Sequence, residues 1–387
     1  MKIFRSEQIK EIDAFTIMHE PIASIDLMER AAGQLYKWIT ERFGRSEHFI
    51  VFTGPGNNGG DGLALARMLA ENGYFVEVYY IKFTEKTSPD WELNRKRIEN
   101  VSNITLNYLT SADHLPVISS GDIIIDAIFG SGLTRPVEGL PAEIINQINL
   151  SDSIKISIDI PSGLFGEDNS DNTYKSVVKA DFTLSFHFPK LSFMFAENAP
   201  YIGEWYVLPI GLDNNAIRNI VTPYNLLGNS DVQPVIKKRN KFDHKGNFGH
   251  GLLISGSLGK MGAAVLGAGA ALRTGIGLIT CHIPSCGCSI IQTALPEAMV
   301  RVDRSEINIS EIGTTDTLSA VGIGPGLGTE PESQLAFFNL LTECKNPLAL
   351  DAVASNILSL NKEGPPLLQP DTIPTPHLKD YERVFKL

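Results

Sequence analysis

Residues 48–70 read HFIVFTGPGNNGGDGLALARMLA: an apolar run, a glycine-rich loop and an amphipathic run in direct succession. The apolar run predicts a buried strand, and the spacing of the later apolar residues predicts a helix near 61–72. A glycine-rich loop between a strand and a helix presents backbone N–H groups to an anion, which is how such folds hold a diphosphate. The stretch therefore predicts a parallel α/β fold with an anion site after this strand.

The alternation of apolar runs and amphipathic stretches continues through the first half of the chain. It predicts further strands near 74–81, 122–128, 154–160 and 181–186, and helices near 6–19, 25–42 and 139–149. Ser24 is the expected N-cap of the second helix and Gly44 its expected stop. Such a sheet has helices on both faces and binds ligands at the carboxyl ends of its strands.

A second run of alternating elements follows a polar stretch at 211–245. It predicts strands near 251–255, 276–283, 319–323 and 347–351, with a Gly/Ala-rich helix near 261–274. We place the first domain at 1–225 and the second at 226–387. The second sheet stops early, which predicts an exposed strand edge, exposed apolar surface and hence instability or association.

Composition excludes several classes of protein. The 387 residues include 33 Lys+Arg against 44 Asp+Glu, a net charge of −11, which argues against binding a nucleic-acid backbone. Cys281, Cys286 and Cys288 match no zinc spacing, so we interpret them as buried or incidental thiols in a reducing compartment. The charged N-terminus and the interruption of the apolar stretch 262–280 by Arg273 predict a cytoplasmic protein without a membrane span.

Polar side chains stand at the ends of several predicted strands. Asp126 and Asp159 lie inside or directly after apolar strands, and Ser162 follows the second of them. A buried carboxylate is costly unless it is paired or bound to a metal, so two of them favour a site. Together with Asn58 they offer hard oxygen ligands, which suit an alkali or alkaline-earth cation. Each could instead be a cap or a turn residue.

The glycine-rich loop has two other interpretations. It could be a tight turn in which Asp61 caps the helix. Gly54, Gly56 and Gly59 also form G-x-G-x-x-G, the pattern of a hydride-transferring dehydrogenase. That interpretation requires an acidic residue at the end of the next strand, and Glu77 lies in mid-strand instead.

Three motifs in order, NNGGDG at 57–62, DAIFGSGL at 126–133 and SIDIPSGL at 157–164, resemble the NAD(P)H-hydrate epimerase family, which has a Rossmann-like three-layer fold. That family interconverts the R and S forms of hydrated NADH and NADPH. The resemblance implies a potassium ion on Asn58, Asp126 and Ser162. It implies substrate contacts from Asn57, Asn58, Gly59, Gly60, Asp61, Gly130, Ser131, Gly132, Leu133, Thr134, Arg135, Pro136 and Asp159.

We expect Asp159 to move protons at the carbon that bears the hydroxyl, because a carboxylate at a strand end can act as acid and base in turn. Asp61 is the alternative for this role. The expected partner is a small molecule, the hydrated dinucleotide. The family resemblance also suggests a homodimer or higher homo-oligomer.

The second domain resembles the ribokinase-like, ADP- or ATP-dependent NAD(P)H-hydrate dehydratase. The resemblance is carried by HKGNFGHG at 244–251, GSLGKMGAA at 256–264, GPGLG at 324–328 and TPH at 375–377. Members of that family use ADP or ATP with Mg²⁺ to phosphorylate the hydroxyl of the hydrate and then eliminate phosphate. The resemblance implies that Ala263, Gly328 and His377 contact the hydrate.

This second domain departs from the family pattern. DAVA at 351–354 and Leu378 replace the usual Asp-Ala-Asp-Ala and Pro-His-Pro-Gly-Glu, and the later nucleotide-binding and aspartate motifs have no counterpart before Leu387. Because phosphoryl transfer depends on positioning of the nucleotide, we expect an incomplete ribokinase-like domain without dehydratase activity. It would be a fragment, a frameshifted product or a degenerate copy. The leading hypothesis is an active epimerase joined to this domain, and the alternative is a non-catalytic nucleotide-binding or interaction module.

Overall fold

The computed structural model describes residues 1–236, 238–351, 353–360 and 365–385. It divides into two units, Met1–Ile236 and Lys237–Leu387, and the division falls within the polar stretch noted above. Ala352 of the DAVA run and the terminal Leu387 lie outside the described residues.

The first unit contains a seven-stranded parallel sheet in the order β3-β2-β1-β4-β5-β6-β7. In the register of the central strands, Val51 lies between Val78 and Ile125. The sheet order reverses its direction of growth between β1 and β4, so the loops after these two strands diverge and leave a crevice. The strands are β1 His48–Thr53, β2 Phe75–Ile81, β3 Leu106–Leu109, β4 Asp122–Ala127, β5 Ile154–Ile158, β6 Phe182–Phe186 and β7 Glu204–Leu208.

Helices cover both faces of this sheet, and each face has its own apolar core. Trp38, Leu65 and Trp91 pack on one face, and Ile144 and Ile148 pack on the other. The predicted two-faced α/β fold is therefore confirmed. The helices are α1 Ser6–His19, α2 Ser24–Thr40, α3 Asn57–Glu71, α4 Pro89–Ile98, α5 Leu140–Leu150, α6 Ala199–Ile202, α7 Asn214–Asn219 and α8 Asn229–Val232.

Two local predictions are wrong. Ser24 does not cap α2, because Ala23 occupies the N-cap position and the Ser24 hydroxyl donates to Asp90 at 2.6 Å instead. Asp61 is not a cap either, because α3 begins at Asn57 and places Asp61 in its second turn. The helix starts early because the loop glycines allow the chain to turn directly out of β1 into helix.

The second unit contains a six-stranded parallel sheet in the order β10-β9-β8-β11-β12-β13. Apolar clusters on both of its faces again confirm the α/β prediction. All three residues of β13, the edge strand, are exposed. The strands are β8 His250–Ile254, β9 Leu278–Ile283, β10 Met299–Val302, β11 Ala320–Ile323, β12 Leu348–Asp351 and β13 Ile373–Thr375, and the helices are α9 Met261–Thr274, α10 Cys288–Ala294, α11 Pro331–Glu343, α12 Val353–Leu360 and α13 Leu378–Phe385.

We predict that Leu65→Ala destabilises the first unit by about 2–5 kcal/mol, because it leaves a cavity in the apolar core. The three tryptophans, Trp38, Trp91 and Trp205, all lie in this unit, so urea unfolding followed by tryptophan fluorescence reports on it alone. The matched control is Leu150→Ala, whose side chain is exposed and which should change stability by no more than about 0.5 kcal/mol. Equal effects of the two substitutions would contradict the core assignment.

Candidate active site

A cavity of about 680 Å³ lies in the first unit where the loops after β1 and β4 diverge. Its polar wall includes Asn58 and Asp61 of α3, Asp159 after β5, and Asp13 of α1. This is where an open parallel sheet is expected to bind a ligand. The sequence-based prediction of a site at these strand ends therefore agrees with the location of the cavity.

The Asp126 carboxylate is fully buried at the end of β4 and is satisfied entirely by protein groups. Oδ2 accepts hydrogen bonds from the Ser157 hydroxyl at 2.7 Å and the Ser162 backbone N–H at 2.8 Å, and Oδ1 accepts from the Ser162 hydroxyl and the Ile128 N–H. Burial raises the pKa of Asp126, and the hydrogen bonds from Ser162 and Ser157 oppose that shift. These bonds tie the turn after β5 to the end of β4.

Polar groups of Asn58 and Ser162 meet at Phe129, beside this carboxylate. The Asn58 side-chain NH₂ donates to the Phe129 carbonyl oxygen at 2.9 Å, and the Ser162 hydroxyl lies 3.3 Å from the same oxygen while accepting the Phe129 N–H. Thus Asn58, Asp126 and Ser162, grouped from the sequence, lie together around Phe129. Carbonyl, amide and hydroxyl oxygens are ligands suited to a hard cation.

Asp159 forms a buried ion pair with Lys190. The ammonium of Lys190, only 2% exposed, lies 2.6 Å from Asp159 Oδ1, which also accepts the Phe186 N–H. Asp159 has φ +66°, a left-handed conformation that is unusual for a non-glycine residue and that clusters at functional sites. The pair presents a carboxylate at the cavity wall, held by a cation on the next loop.

Asp61 and Asp13 are carboxyl groups with strongly altered acidity. Asp61 is only 9% exposed and accepts no hydrogen bond from the described residues. Burial, reinforced by Asp159, Asp13 and Asp90, raises its pKa well above the usual range. Burial and Asp159 raise the pKa of Asp13 to about 6, while Lys190 opposes the shift. The cavity thus combines the Asp159 carboxylate, paired with Lys190, with two carboxyl groups whose pKa values are raised by burial.

Some of the other residues predicted to bind substrate line the cavity, and others do not. Asn57 and residues 130–133 line the cavity. Gly59 and Gly60 are buried, and a Cβ at these positions would collide with Gly54 O and Met28 Sδ. Thr134, Arg135 and Pro136 do not line the cavity wall, so their contacts with substrate stay predictions.

In the second unit, the predicted dehydratase residues follow strands at the carboxyl edge of the sheet. Gly326, on the loop after β11, approaches Ala263 so closely that an added Cβ would lie 3.1 Å from the Ala263 Cβ. Gly328 has φ +86°, and the exposed His377 follows β13. The Thr375 hydroxyl donates to Asp351 Oδ1 at 2.6 Å, which joins two of these loops.

The three clustered cysteines lie on β9 and at the start of α10. Cys281 is buried, and burial raises the pKa of its thiol to about 11, whereas Cys286 and Cys288 are partly exposed. Within the part of the chain that the structure describes, no three His, Cys, Asp or Glu side chains are arranged to hold a metal ion. Nor does any described helix combine the length and apolar character needed to cross a bilayer.

Comparison with known proteins agrees with this geometry. Residues 24–192 match the family described as YjeF-related protein N-terminus, and residues 251–387 match the NAD(P)H-hydrate dehydratase family. The bifunctional NAD(P)H-hydrate repair enzyme Nnr of Coxiella burnetii is 31% identical over 99% of this chain and 75% of its own length. The chain belongs to the family of bifunctional NAD(P)H-hydrate repair enzymes. The Synechocystis sp. enzyme of the same name is 32% identical over 99% of this chain and 73% of its own.

Two solved structures are also similar to parts of this chain. The crystal structure of yeast ynu0 covers 60% of this chain and 98% of its own, with 21% identity and a TM-score of 0.49. The ADP/ATP-dependent NAD(P)H-hydrate dehydratase of Bacillus subtilis, co-crystallised with ATP/Mg²⁺, covers 41% of this chain and 54% of its own, with 28% identity and a TM-score of 0.34.

Three residues at or next to the cavity, Lys190, Asp90 and Asp13, were missed from the sequence. Lys190 lies four residues after the predicted strand 181–186, so the rule that sites follow strand ends would have found it. Asp90, bonded to Ser24, lies on α4, a helix the periodicity did not reveal. Asp13 lies among apolar residues on α1, and no local pattern distinguishes it.

We predict that Asp61→Asn stabilises the first unit at pH 8 and that the gain vanishes near pH 4. When folding raises the pKa of a carboxyl group, the folded protein becomes less stable as the pH rises above the pKa of that group in the unfolded chain. Asparagine mimics the neutral form of the group and avoids this loss. The expected rise in Tm at pH 8 is about 2–4 °C, measured by tryptophan fluorescence. The control is the exposed Asp152→Asn, which should show no such pH-dependent gain. A gain that is equal at both pH values would contradict the raised pKa.

Proposed function

We propose that the first unit epimerises the R and S forms of hydrated NADH and NADPH. The observation that carries the proposal is that Asp61, a buried carboxyl group without a hydrogen-bond donor among the described residues, and Asp159, paired with Lys190, line the same cavity. When their surroundings give two carboxyl groups different pKa values, one group can act as the acid and the other as the base. Membership of the repair-enzyme family supports the assignment.

The dinucleotide part of the substrate suits the start of α3 and the loop after β4. The first N–H groups of a helix have no intrahelical partners, and here the N-cap, Gly56, supplies no capping side chain. Those N–H groups and the positive end of the helix dipole favour a diphosphate. Gly130 and Gly132 on the opposite loop line the same cavity and leave room for close approach of the ligand.

In this proposal Asp61 acts as the acid and Asp159 as the base. The C–O bond of the hydroxyl-bearing carbon breaks with its electron pair on oxygen, the Asp61 proton converts that oxygen to water, and the lone pair of the adjacent ring nitrogen forms a C=N bond. Water then adds to the other face of the carbon while Asp159 accepts its proton, and the C=N electrons return to nitrogen. Both carboxyl groups exchange roles in the reverse direction.

Lys190 is a positioning residue in this scheme. Its ammonium lies 2.6 Å from Oδ1 of Asp159 and leaves Oδ2 of that carboxylate without a hydrogen bond from the described residues. Such an arrangement keeps a base ready at the cavity wall. A lysine with so little exposure is stable only while its partner is charged.

A potassium ion fits the oxygens of Asn58, Phe129 and Ser162, and we propose that they hold it. All three oxygens are hard ligands, and the side chains of Asn58 and Ser162 both contact the Phe129 carbonyl. Asp126 already accepts four hydrogen bonds, so its part is to orient Ser162 and to add negative charge nearby. When bound, potassium supplies positive charge beside the anionic dinucleotide.

For the second unit we propose a dehydratase-type site that would use ADP or ATP with Mg²⁺, with Ala263, Gly328 and His377 against the hydrate. The Bacillus subtilis relative co-crystallised with ATP/Mg²⁺ supports this cofactor. Val353 and Leu378 stand where the family resemblance requires an aspartate and a proline. We therefore propose that the 387-residue polypeptide by itself does not complete the dehydration.

One assay addresses both units. Purified R-hydrate, followed by NMR, should convert to the S form much faster with potassium than with tetramethylammonium, a cation too large for the oxygen cluster. ATP and Mg²⁺ are then added to the same tube, and we expect no regenerated NAD(P)H absorbance. Regeneration would overturn the proposal for the second unit. Absence of epimerisation would instead favour a non-catalytic binding module.

Light scattering of the same sample measures the mass of the particle and so tests the expected homodimer.

We predict that Asp159→Asn and Lys190→Met each lower kcat by about 10²-fold or more, because the first removes the base and the second removes the ammonium that positions it. The double variant should be little worse than either single variant, since residues that act as a unit are not additive. The exposed Lys175→Met serves as the control for loss of a positive charge. Turnover of Asp159→Asn close to that of the wild type would remove this mechanism.

A further inference from the structure

Asp13 is a carboxyl group in the cavity to which the mechanism above gives no role. Its Oδ1 is buried and accepts no hydrogen bond from the described residues. Buried polar atoms are nearly always paired, so an unpaired carboxyl oxygen that faces a cavity calls for an explanation. Asp13 also lies outside the stretch 24–192 that the family model matches.

The helix that carries Asp13 is fixed against the site. The Ser6 hydroxyl, at the start of α1, lies 2.9 Å from both Ser131 O and the Glu167 carboxylate, and the Ser6 N–H donates to Glu167 at 2.6 Å. Ile12, next to Asp13, is fully buried in an apolar cluster with α2 and α7. The carboxyl group of Asp13 is therefore presented to the cavity by a rigid element.

Asp13 interacts electrostatically with both groups of the proposed acid–base pair. Burial and then Asp159 raise the pKa of Asp13, and Lys190 lowers it; Asp13 in turn adds to the effect of burial and Asp159 in raising the pKa of Asp61. The charged and titratable groups that line the cavity beside Asp13 come from several elements: Asp61 from α3, Asp90 from α4, Asp159 after β5 and Lys10 on α1 itself. Lys190, after β6, contacts Asp159. With a pKa of about 6, Asp13 can both gain and lose a proton near neutral pH.

The proposed reaction changes the protonation of the two catalytic carboxyl groups. After one R-to-S conversion, Asp61 has lost its proton and Asp159 has gained one. That state is competent only for the reverse reaction. A second conversion in the same direction therefore requires the proton to return from Asp159 to Asp61.

We propose that Asp13 carries this returning proton. Its carboxylate takes the proton from Asp159 as that O–H bond breaks, and it then gives the proton to the Asp61 carboxylate, so no atom or electron is gained or lost overall. The inference rests on the proposed epimerase function. It adds to that function a third acid–base residue, supplied by α1.

The test compares net conversion with exchange at equilibrium. Net conversion of pure R-hydrate requires the return step in every turnover. Exchange between R and S at equilibrium does not, because each reverse reaction restores the proton to Asp61. Initial rates followed by NMR give the first quantity, and two-dimensional exchange spectroscopy on the equilibrated mixture gives the second.

The variants are Asp13→Asn, Asp13→Glu and the matched control Glu11→Gln, which removes the same charge from an exposed position on α1. We expect Asp13→Asn to lower the net rate about tenfold or more and to leave the exchange rate within about twofold of the wild type. Asp13→Glu keeps a titratable group and should retain most of the net rate. Glu11→Gln should change neither rate.

Two outcomes would overturn the inference. Equal losses of both rates in Asp13→Asn would mean that Asp13 acts in binding, in the chemical step or in folding. Loss of neither rate would mean that water returns the proton. If the wild type itself showed no exchange, the epimerase proposal would fail instead, so the two failures are distinguishable.

Discussion

The candidate active site depends on the buried carboxylate of Asp126. An ionised group removed from water costs several kcal/mol unless hydrogen bonds replace its hydration, and here four protein donors supply them. Satisfying Asp126 forces Ser157, Ser162 and Ile128 to surround it. The end of β4 and the turn after β5 are thereby locked together, and this turn is the one that carries Asp159.

The hydrogen bonds around Asp126 also position Asn58, Phe129 and Ser162 beside the cavity. The Ser162 hydroxyl accepts the Phe129 N–H, and the Phe129 carbonyl lies against the Asn58 amide of α3. A change at Asp126 would therefore disturb three segments at once, although the Asp126 side chain itself is fully buried. Its importance follows from the hydrogen bonds it imposes on its neighbours.

The cavity gathers more negative charge than its single buried ammonium can balance. Lys190 is paired with Asp159, and burial, reinforced by the charge of Asp159, raises the pKa values of Asp61 and Asp13. This arrangement reduces stability at neutral pH, a cost that proteins accept at functional sites. It also yields carboxyl groups of different acidity within one cavity, which proton transfer between them requires.

Much of the fold could be predicted from local pattern. Each central strand of the first sheet was located, because short apolar runs between glycines and polar turns are typical of buried parallel strands. Asn58, Asp126 and Ser162 could be grouped in advance, because the ends of neighbouring parallel strands meet at one edge. Strand β3 and helix α4 were missed, since β3 spans only four residues and α4 is rich in charged residues.

The sequence by itself determined the α/β class, the strand ends that face the ligand and the family, because these depend on residues close together in the chain. Only the tertiary structure decided that Lys190 pairs with Asp159 and that Asp13 faces both of them. It also decided that Asp61 is an unpaired acid inside the cavity and not a helix cap. Partners and acidity arise from burial and from charges far away along the chain, as for Lys190, 31 residues from Asp159, and no local pattern records them.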